Sequence, residues 1–219
     1  MNLKDRHFLS MLDFSTEEIL AVLDTARKIK KAPVGNARPT LPLQNKSLAM
    51  IFQKPSLRTR VSFETGMTRL GGHAIYLSPN DISLGKRETT EDIAQVLSRY
   101  VDIIMARVFG HDIVVDLAKH SRVPVINGLS DYEHPCQIMA DWLTLLERKG
   151  TLKGLNACFI GDGNNVCHSL MRIAGRFGME FVAATPAGYE PDPNVVAAAR
   201  EDGEGSGGSV TVTVDPAEA

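Results

Sequence analysis

The densest cluster of chemically capable side chains in this sequence lies between Lys54 and Arg60. It directly follows the apolar run Leu48–Phe52 and contributes two hydroxyl and two guanidinium groups, from Ser56, Thr59, Arg58 and Arg60. Hydroxyls, guanidiniums and the free N–H groups of a helix start are the donors that a dianionic phosphate needs. Arginines at a helix N-terminus oppose the helix dipole unless an anion is present. The cluster therefore favours an anion site over a solvated helix start that Ser and Thr merely cap.

Two further polar positions follow other predicted strands. Arg107 comes directly after an apolar strand, and His134-Pro135-Cys136-Gln137 opens a helix. Taken singly, Arg107 is typical of a surface charge and His134 of a structural histidine. Ligand sites of parallel sheets lie at the carboxyl ends of strands, so their shared location favours a site where both polarise one carbonyl. Cys136 has no partner base marked in the sequence and is better interpreted as a buried thiol than as a nucleophile.

A glycine-containing turn, Gly161-Asp162-Gly163-Asn164-Asn165, stands between a predicted strand and a predicted helix. It is superficially similar to a dinucleotide fingerprint, but Val166 occupies the place of the third glycine. Asn164 and Asn165 are better interpreted as turn formers, with one side chain facing a ligand. The sequence contains no GxxxxGK, GxSxG or HExxH pattern, which leaves nucleotide hydrolysis, α/β-hydrolase and zinc-protease chemistry without support.

The order of predicted elements indicates an α/β fold. A capping box at Ser15 and Glu18 opens the first helix, and Asp202–Gly208 is typical of a flexible link. Between these segments strands and helices alternate, which implies parallel pairing with helices on both faces. We expect two doubly wound parallel-sheet domains, residues 1–148 and 149–219, with a helix beginning at Asp215. The predicted strands are 48–52, 74–77, 101–106, 124–127, 155–160, 181–184 and 209–214; the predicted helices are 15–31, 57–70, 91–99, 111–120, 135–146, 165–177 and 194–200.

Composition excludes several classes of protein and of partner. With 24 Lys+Arg against 26 Asp+Glu, the net charge of −2 provides no field for a polyanion, so we expect no nucleic-acid partner. No apolar run reaches the roughly 18 residues of a membrane span, and the first ten residues lack the apolar core of a signal peptide. The three cysteines form no CxxC pair. We therefore expect a cytoplasmic protein without a membrane partner.

The polar clusters match the motifs of a known family. Phe52–Glu64 resembles the S-x-R-T-R-x-S-F-E carbamoyl-phosphate motif of the transcarbamylases, and His134–Gln137 resembles their H-P-x-Q motif. Arg107 stands between them in the expected order. The segments Leu84–Glu88, Arg107–His111 and Gly161–Asn165 are similar to the ornithine branch of the family rather than to the aspartate branch.

This resemblance implies a reaction and roles for individual residues. The expected reaction transfers the carbamoyl group of carbamoyl phosphate to the δ-amine of L-ornithine, giving L-citrulline and phosphate in arginine biosynthesis. It implies two doubly wound domains of the transcarbamylase type, a homotrimer or an assembly of trimers, and neither a metal nor an organic cofactor. Asn165 would contact ornithine, and Arg58, Thr59, Arg107 and His134 would be catalytic. Carbamoyl phosphate would be bound by Ser56, Leu57, Arg58, Thr59, Arg60, Arg107, His134 and Gln137.

The sequence departs from the family pattern in two places. Ser83 stands where many relatives place a glutamine that reaches the neighbouring subunit. The later D-x-x-x-S-M-G and H-C-L-P motifs, which serve ornithine, do not occur, so we expect the second domain to be incomplete. Two alternatives stay open on the sequence: a transcarbamylase for another amine, and a non-catalytic module that binds carbamoyl phosphate.

Overall fold

The computed structural model describes residues 2–32, 41–82 and 87–219 and divides them into two compact units. The first unit takes in the described residues of 1–9 and 26–131, and the second consists of Ser10–Thr25 and Tyr132–Ala219. Each contains one parallel sheet with helices, which confirms the predicted α/β class. The units are not the same division as the predicted domains 1–148 and 149–219, which stay a prediction.

The first unit is built on a four-stranded parallel sheet with the strand order β2-β1-β3-β4. The order places β1 and β3 side by side at the centre, so polar residues that follow them share one edge. Strands and helices of this unit are β1 (Ser47–Phe52), α2 (Leu57–Arg69), β2 (His73–Leu77), α3 (Pro79–Ile82), α4 (Thr90–Leu97), β3 (Ile103–Arg107), α5 (His111–His120) and β4 (Val125–Leu129).

Strand β1 is buried on both of its faces, as its continuous apolar sequence predicts. Alternate side chains of a strand point to opposite faces. Ala49 and Ile51 belong to a core cluster with residues of α4 and α5, whereas Met50 and Phe52 belong to another with Met67 of α2. Helices therefore cover both faces of this sheet, which is the doubly wound arrangement.

The second unit has a three-stranded parallel sheet with the order β5-β6-β7. Helix α1 (Thr16–Lys31) begins in this unit, and its capping box is confirmed: the Ser15 N–H donates to Glu18 Oε2 at 2.9 Å, and the Glu18 N–H donates to Ser15 Oγ at 3.2 Å. The remaining elements are α6 (Pro135–Lys149), β5 (Asn156–Ile160), α7 (Asn165–Arg176), β6 (Glu180–Ala184), α8 (Pro193–Ser206) and β7 (Ser209–Thr213).

Two local predictions were wrong. Residues 202–206 of the predicted flexible link continue α8 to Ser206. Helix α3 lies between the predicted strand 74–77 and the predicted helix 91–99, where no helix was predicted. Asp215, predicted as an N-cap residue, makes the hydrogen bond of one, because its Oδ1 accepts from the Ala217 N–H at 2.8 Å. The other predicted helices and strands occur within a few residues of their predicted bounds.

Small residues allow α7 and α8 to approach closely. A Cβ atom added to Gly175 would lie 2.5 Å from the carbonyl oxygen of Ala199 and 3.1 Å from the backbone nitrogen of Gly203. Backbone atoms cannot move aside as the end of a flexible side chain can. Gly175 is therefore required by the spacing of the two helices and not by its own conformation.

This packing predicts opposite effects for two Gly→Ala substitutions. Gly175→Ala should lower the free energy of unfolding by about 1–3 kcal/mol because the added methyl group overpacks the contact. Gly205→Ala is the matched control, since a Cβ there meets nothing within 4 Å, and helix propensity should raise stability by about 0.5–1 kcal/mol. Urea unfolding followed by circular dichroism measures both. Equal effects of the two variants would contradict the packing argument.

Candidate active site

Ser56 caps the helix that follows the central strand. Its backbone is extended (φ −156°, ψ 116°), and its hydroxyl accepts a hydrogen bond from the Thr59 N–H at 3.4 Å and donates to Thr59 Oγ1 at 3.1 Å. Leu57 is the first helical residue, so its N–H has no acceptor within the helix. The Leu57 side chain is 78% exposed, and what it offers a ligand is therefore its backbone. This helix start presents N–H groups and hydroxyls at the carboxyl end of β1.

Arg107 is the last residue of β3 and lies beside this helix start. It pairs in register with Phe52, and its carbonyl accepts from the Gln53 N–H at 2.9 Å. One terminal nitrogen of its guanidinium donates to Thr59 Oγ1 at 3.4 Å. Its Nε is buried and has no hydrogen-bond partner among the described residues. A buried donor without an acceptor indicates a place where a ligand's oxygen atoms would be stabilised.

Arg58 contributes a second positive charge to the same place. Burial lowers the pKa of the Arg107 guanidinium, and repulsion by the nearby charge of Arg58 lowers it further. Two cations held close together favour the binding of an anion. Arg58 itself is exposed and has no ion pair within the described part of the chain.

Arg60 has a different environment from Arg58. Its Nε donates to Glu64 at 2.9 Å, and its guanidinium carbon lies 3.9 Å from the centre of the Tyr76 ring. The structure therefore brings Ser56, Leu57, Arg58, Thr59 and Arg107 together and directs the Arg60 guanidinium to Glu64 and Tyr76. Ser83 and Leu84–Lys86, which carry two predictions from the family resemblance, lie outside the described residues.

The remaining predicted site residues are in the second unit, at the starts of two helices. His134 is the half-buried N-cap residue of α6, and its backbone N–H donates to Ser169 Oγ at 2.9 Å. Gln137 is exposed and donates from Nε2 to Asp141 at 3.0 Å. Asn165 is the half-buried first residue of α7. Asn164 caps that helix by accepting from two backbone N–H groups, which confirms its predicted role as a turn former.

Cys136 does not have the properties of a catalytic nucleophile. Burial raises the pKa of its thiol to about 12, so the reactive thiolate is nearly absent at neutral pH. In the described ranges no group of three or more His, Cys, Asp or Glu residues is placed to hold a metal ion. None of the described helices is both long and apolar enough to cross a membrane.

Sequence reasoning gave no role to Gln53, which the structure places at the centre of the first unit's site. Its N–H donates to the Arg107 carbonyl, and its side-chain oxygen accepts from the Phe109 N–H at 3.0 Å. These two contacts fix the backbone from the Arg107 carbonyl to the Phe109 N–H, directly after the strand end that carries the Arg107 side chain. The only signal in the sequence is its position directly after a buried strand.

Two family models match the chain. Residues 6–147 match "Aspartate/ornithine carbamoyltransferase, carbamoyl-P binding domain", and residues 153–219 match "Aspartate/ornithine carbamoyltransferase, Asp/Orn binding domain". The chain belongs to the aspartate/ornithine carbamoyltransferase family. These matches confirm the family resemblance inferred from the two motifs. The carbamoyl-phosphate-binding domain precedes the Asp/Orn binding domain along the chain.

Similar proteins of this family are known in archaea and bacteria. An ornithine carbamoyltransferase of Pyrococcus horikoshii is 53% identical over 220 residues, covering 100% of this chain and 69% of that protein. The anabolic ornithine carbamoyltransferase of Pyrococcus furiosus is 52% identical with the same coverage. A solved structure of the Pyrococcus furiosus ornithine carbamoyltransferase superimposes on this chain with a TM-score of 0.95. A solved structure of the Thermus thermophilus ornithine carbamoyltransferase is 43% identical and has a TM-score of 0.85; the match covers 96% of this chain and 69% of that chain.

The geometry of the first unit predicts how phosphate binding responds to the loss of one charge. Arg58→Ala should weaken binding of inorganic phosphate by about 10- to 100-fold, because a hydrogen bond to a charged group is worth roughly 1.5–3 kcal/mol. Arg69→Ala removes the same charge from the exposed far end of α2 and should change affinity less than about twofold. Isothermal titration calorimetry measures both. Equal losses in the two variants would indicate that net charge, and not the site, holds phosphate.

Thiol chemistry provides a separate test of Cys136. Iodoacetamide at pH 8 should modify the exposed Cys158 first, whereas Cys136 and Cys167, whose burial raises the pKa of each thiol to about 12, should react much more slowly. Alkylation requires the thiolate, and a higher pKa lowers the fraction of thiolate at a given pH, so a raised pKa slows the reaction. Peptide mass spectrometry over time gives the order of modification. Fast modification of Cys136 would overturn its assignment as an inert buried thiol.

Proposed function

We propose that this family member transfers the carbamoyl group of carbamoyl phosphate to the δ-amine of L-ornithine, giving L-citrulline and phosphate in arginine biosynthesis. The observation that supports it best is the cluster of Arg58, Thr59 and Arg107 beside a helix start. It holds two positive charges and a buried Arg107 Nε that has no hydrogen-bond partner in the described part of the chain. Relatives about half identical to the chain are named ornithine carbamoyltransferase, and one of them is named anabolic.

In the proposed reaction the neutral δ-amine attacks the carbonyl carbon of carbamoyl phosphate. A C–N bond forms, negative charge develops on the carbonyl oxygen, and the proton that the amine gives up ends on the departing phosphate as HPO₄²⁻. Donors from Thr59, Arg107 and His134 would stabilise that oxygen, as preorganised donors stabilise oxyanions in other enzymes. The transfer does not need a covalent enzyme intermediate, which agrees with the raised pKa of the Cys136 thiol.

The phosphate leaves when the C–O bond to the carbonyl carbon breaks. Ser56, the Leu57 N–H and Arg58 would take up the growing charge on its oxygens, with the dipole of α2 adding to them. Arg60 would contribute through the field of its charge, because its guanidinium already contacts Glu64 and Tyr76. Gln137 would engage the carbamoyl group, and Asn165 would contact ornithine.

The assembly, location and domain division are part of the same proposal. We infer a homotrimer or an assembly of trimers, a cytoplasmic location, and domains at 1–148 and 149–219. Leu57 and Val61 lie one turn apart on α2 and are 78% and 49% exposed, an apolar surface that an oligomer would cover. The two family models meet between residues 147 and 153, which supports the domain boundary.

Product analysis tests this function directly. The protein purified from the cell that makes it, with its intact mass recorded, should form citrulline from carbamoyl phosphate and ornithine at least about 100-fold faster than carbamoyl-aspartate from aspartate. His134→Ala should lower kcat by about 100- to 1,000-fold, the usual effect of losing one oxyanion donor. His73→Ala, which removes an exposed imidazole at the start of β2, serves as the control and should leave kcat unchanged.

Each alternative function has its own outcome in that assay. Product from a different amine would indicate another transcarbamylase. Binding of carbamoyl phosphate without any product would indicate a non-catalytic module and overturn the proposed activity.

A further inference from the structure

A buried carboxylate lies directly before His134 in the second unit. Glu133 is 1% exposed, and its carboxylate accepts hydrogen bonds from the Ser10 hydroxyl at 2.6 Å and the Met11 N–H at 3.1 Å. Arg172 of α7, itself 8% exposed, lies 3.3 Å away, Nε to Oε1. A buried ion pair of this kind contributes little net stability, because desolvation offsets the attraction between the charges. Stability alone therefore does not explain why Glu133 and Arg172 form an ion pair here.

The carboxylate is connected to His134 through one hydroxyl group. Ser169 of α7 is completely buried; its hydroxyl donates to Glu133 Oε2 at 3.3 Å and accepts from the His134 N–H at 2.9 Å. A serine hydroxyl has one proton to give. The charge on Glu133 directs that proton to the carboxylate, so that a lone pair of the serine oxygen faces the His134 N–H.

Helix α7 holds the residue before Glu133 as well. His168 Nδ1 lies 3.0 Å from the Tyr132 carbonyl oxygen, and Arg172 donates to the Tyr132 hydroxyl at 3.0 Å. His168 Nε2 accepts from the Asp192 N–H at 3.0 Å, which identifies Nδ1 as the protonated nitrogen that donates to Tyr132. Three consecutive residues, 132–134, are thus fixed to one helix.

We propose that Glu133, Ser169 and Arg172 are positioning residues that hold His134 in place for carbamoyl transfer. The inference rests on the proposed function, because it gives His134 the role of a donor to the carbonyl oxygen. Helix α7 also begins at Asn165, the proposed ornithine contact. One rigid helix therefore carries the contact to the second substrate and the groups that orient the donor to the first.

Ser169→Ala tests the central hydrogen bond in the whole protein. We expect hydrogen exchange at the His134 amide to speed up by about tenfold or more, since its acceptor is removed. We expect kcat to fall by roughly 10- to 100-fold, because small misplacements of a reacting group are costly, with KM for ornithine changed less than about twofold. Thr144→Ala, which removes a hydroxyl that donates to a backbone carbonyl of the exposed face of α6, is the matched control and should change neither quantity.

A second variant keeps the test decisive if Ser169→Ala does not fold. Glu133→Gln preserves the side-chain volume and removes the charge that orients the Ser169 hydroxyl. We therefore expect faster hydrogen exchange at the His134 amide and a lower kcat in this variant as well. Where Ser169→Ala does fold, the double variant Glu133→Gln/Ser169→Ala should have a kcat no more than about twofold below that of Ser169→Ala, because both changes act through one hydrogen bond. Circular dichroism establishes that each variant is folded.

The outcomes separate this inference from the proposed function. Normal citrulline formation by folded Ser169→Ala, or additive losses in the double variant, would overturn the positioning role and leave the function standing. A wild-type protein that forms no citrulline would overturn the function, and the positioning role with it. Faster amide exchange together with a lower kcat supports both.

Discussion

The register between β1 and β3 is the constraint on which the site of the first unit depends. Because Phe52 pairs with Arg107, the last residue of each central strand stands at the same edge of the sheet. Gln53 then joins the two strand ends by donating to the Arg107 carbonyl and accepting from the Phe109 N–H. A shift by one residue would turn the Arg107 side chain to the other face of the sheet. Such a shift is opposed by the packing of β1, because it would exchange Ala49 and Ile51 of one core cluster with the larger Met50 and Phe52 of the other.

The same arrangement places the like charges of Arg58 and Arg107 close together. Burial, and then repulsion by Arg58, disfavour the charged form of Arg107, as the lowered pKa of its guanidinium indicates. The fold tolerates this because the apolar clusters on both faces of the sheet hold the strands in place. A bound dianion would remove the repulsion and supply an acceptor for the buried Nε, so ligand binding and stability of this edge should be coupled.

Helices and strands were predictable from the sequence where their local sequence patterns are strong. The run Leu48–Phe52, the Ser15 capping box and the alternation of elements were sufficient for the α/β class and for most helices and strands. The Gly-rich end of α8 was missed because intrinsic propensity disfavours helix there, whereas Gly203 is buried against the backbone of Gly208 and α8 packs closely on α7. The motif residues near β1 were predictable because they are contiguous. The difference between the environments of Arg58 and Arg60 was not predictable, because Arg60 contacts Tyr76, which β2 brings beside it.

The network around Glu133 shows why such residues escape sequence reasoning. Ser10, Glu133, Ser169 and Arg172 come from three distant segments, and each alone is typical of a surface position. Their common environment exists only after the second unit has folded, when the desolvated charge of Glu133 must be compensated by Arg172 and by hydrogen-bond donors. An apolar residue of similar size would fill that space without any need for partners. An apolar residue could not direct the Ser169 proton away from the His134 N–H. This difference explains why a buried ion pair lies beside a proposed catalytic residue.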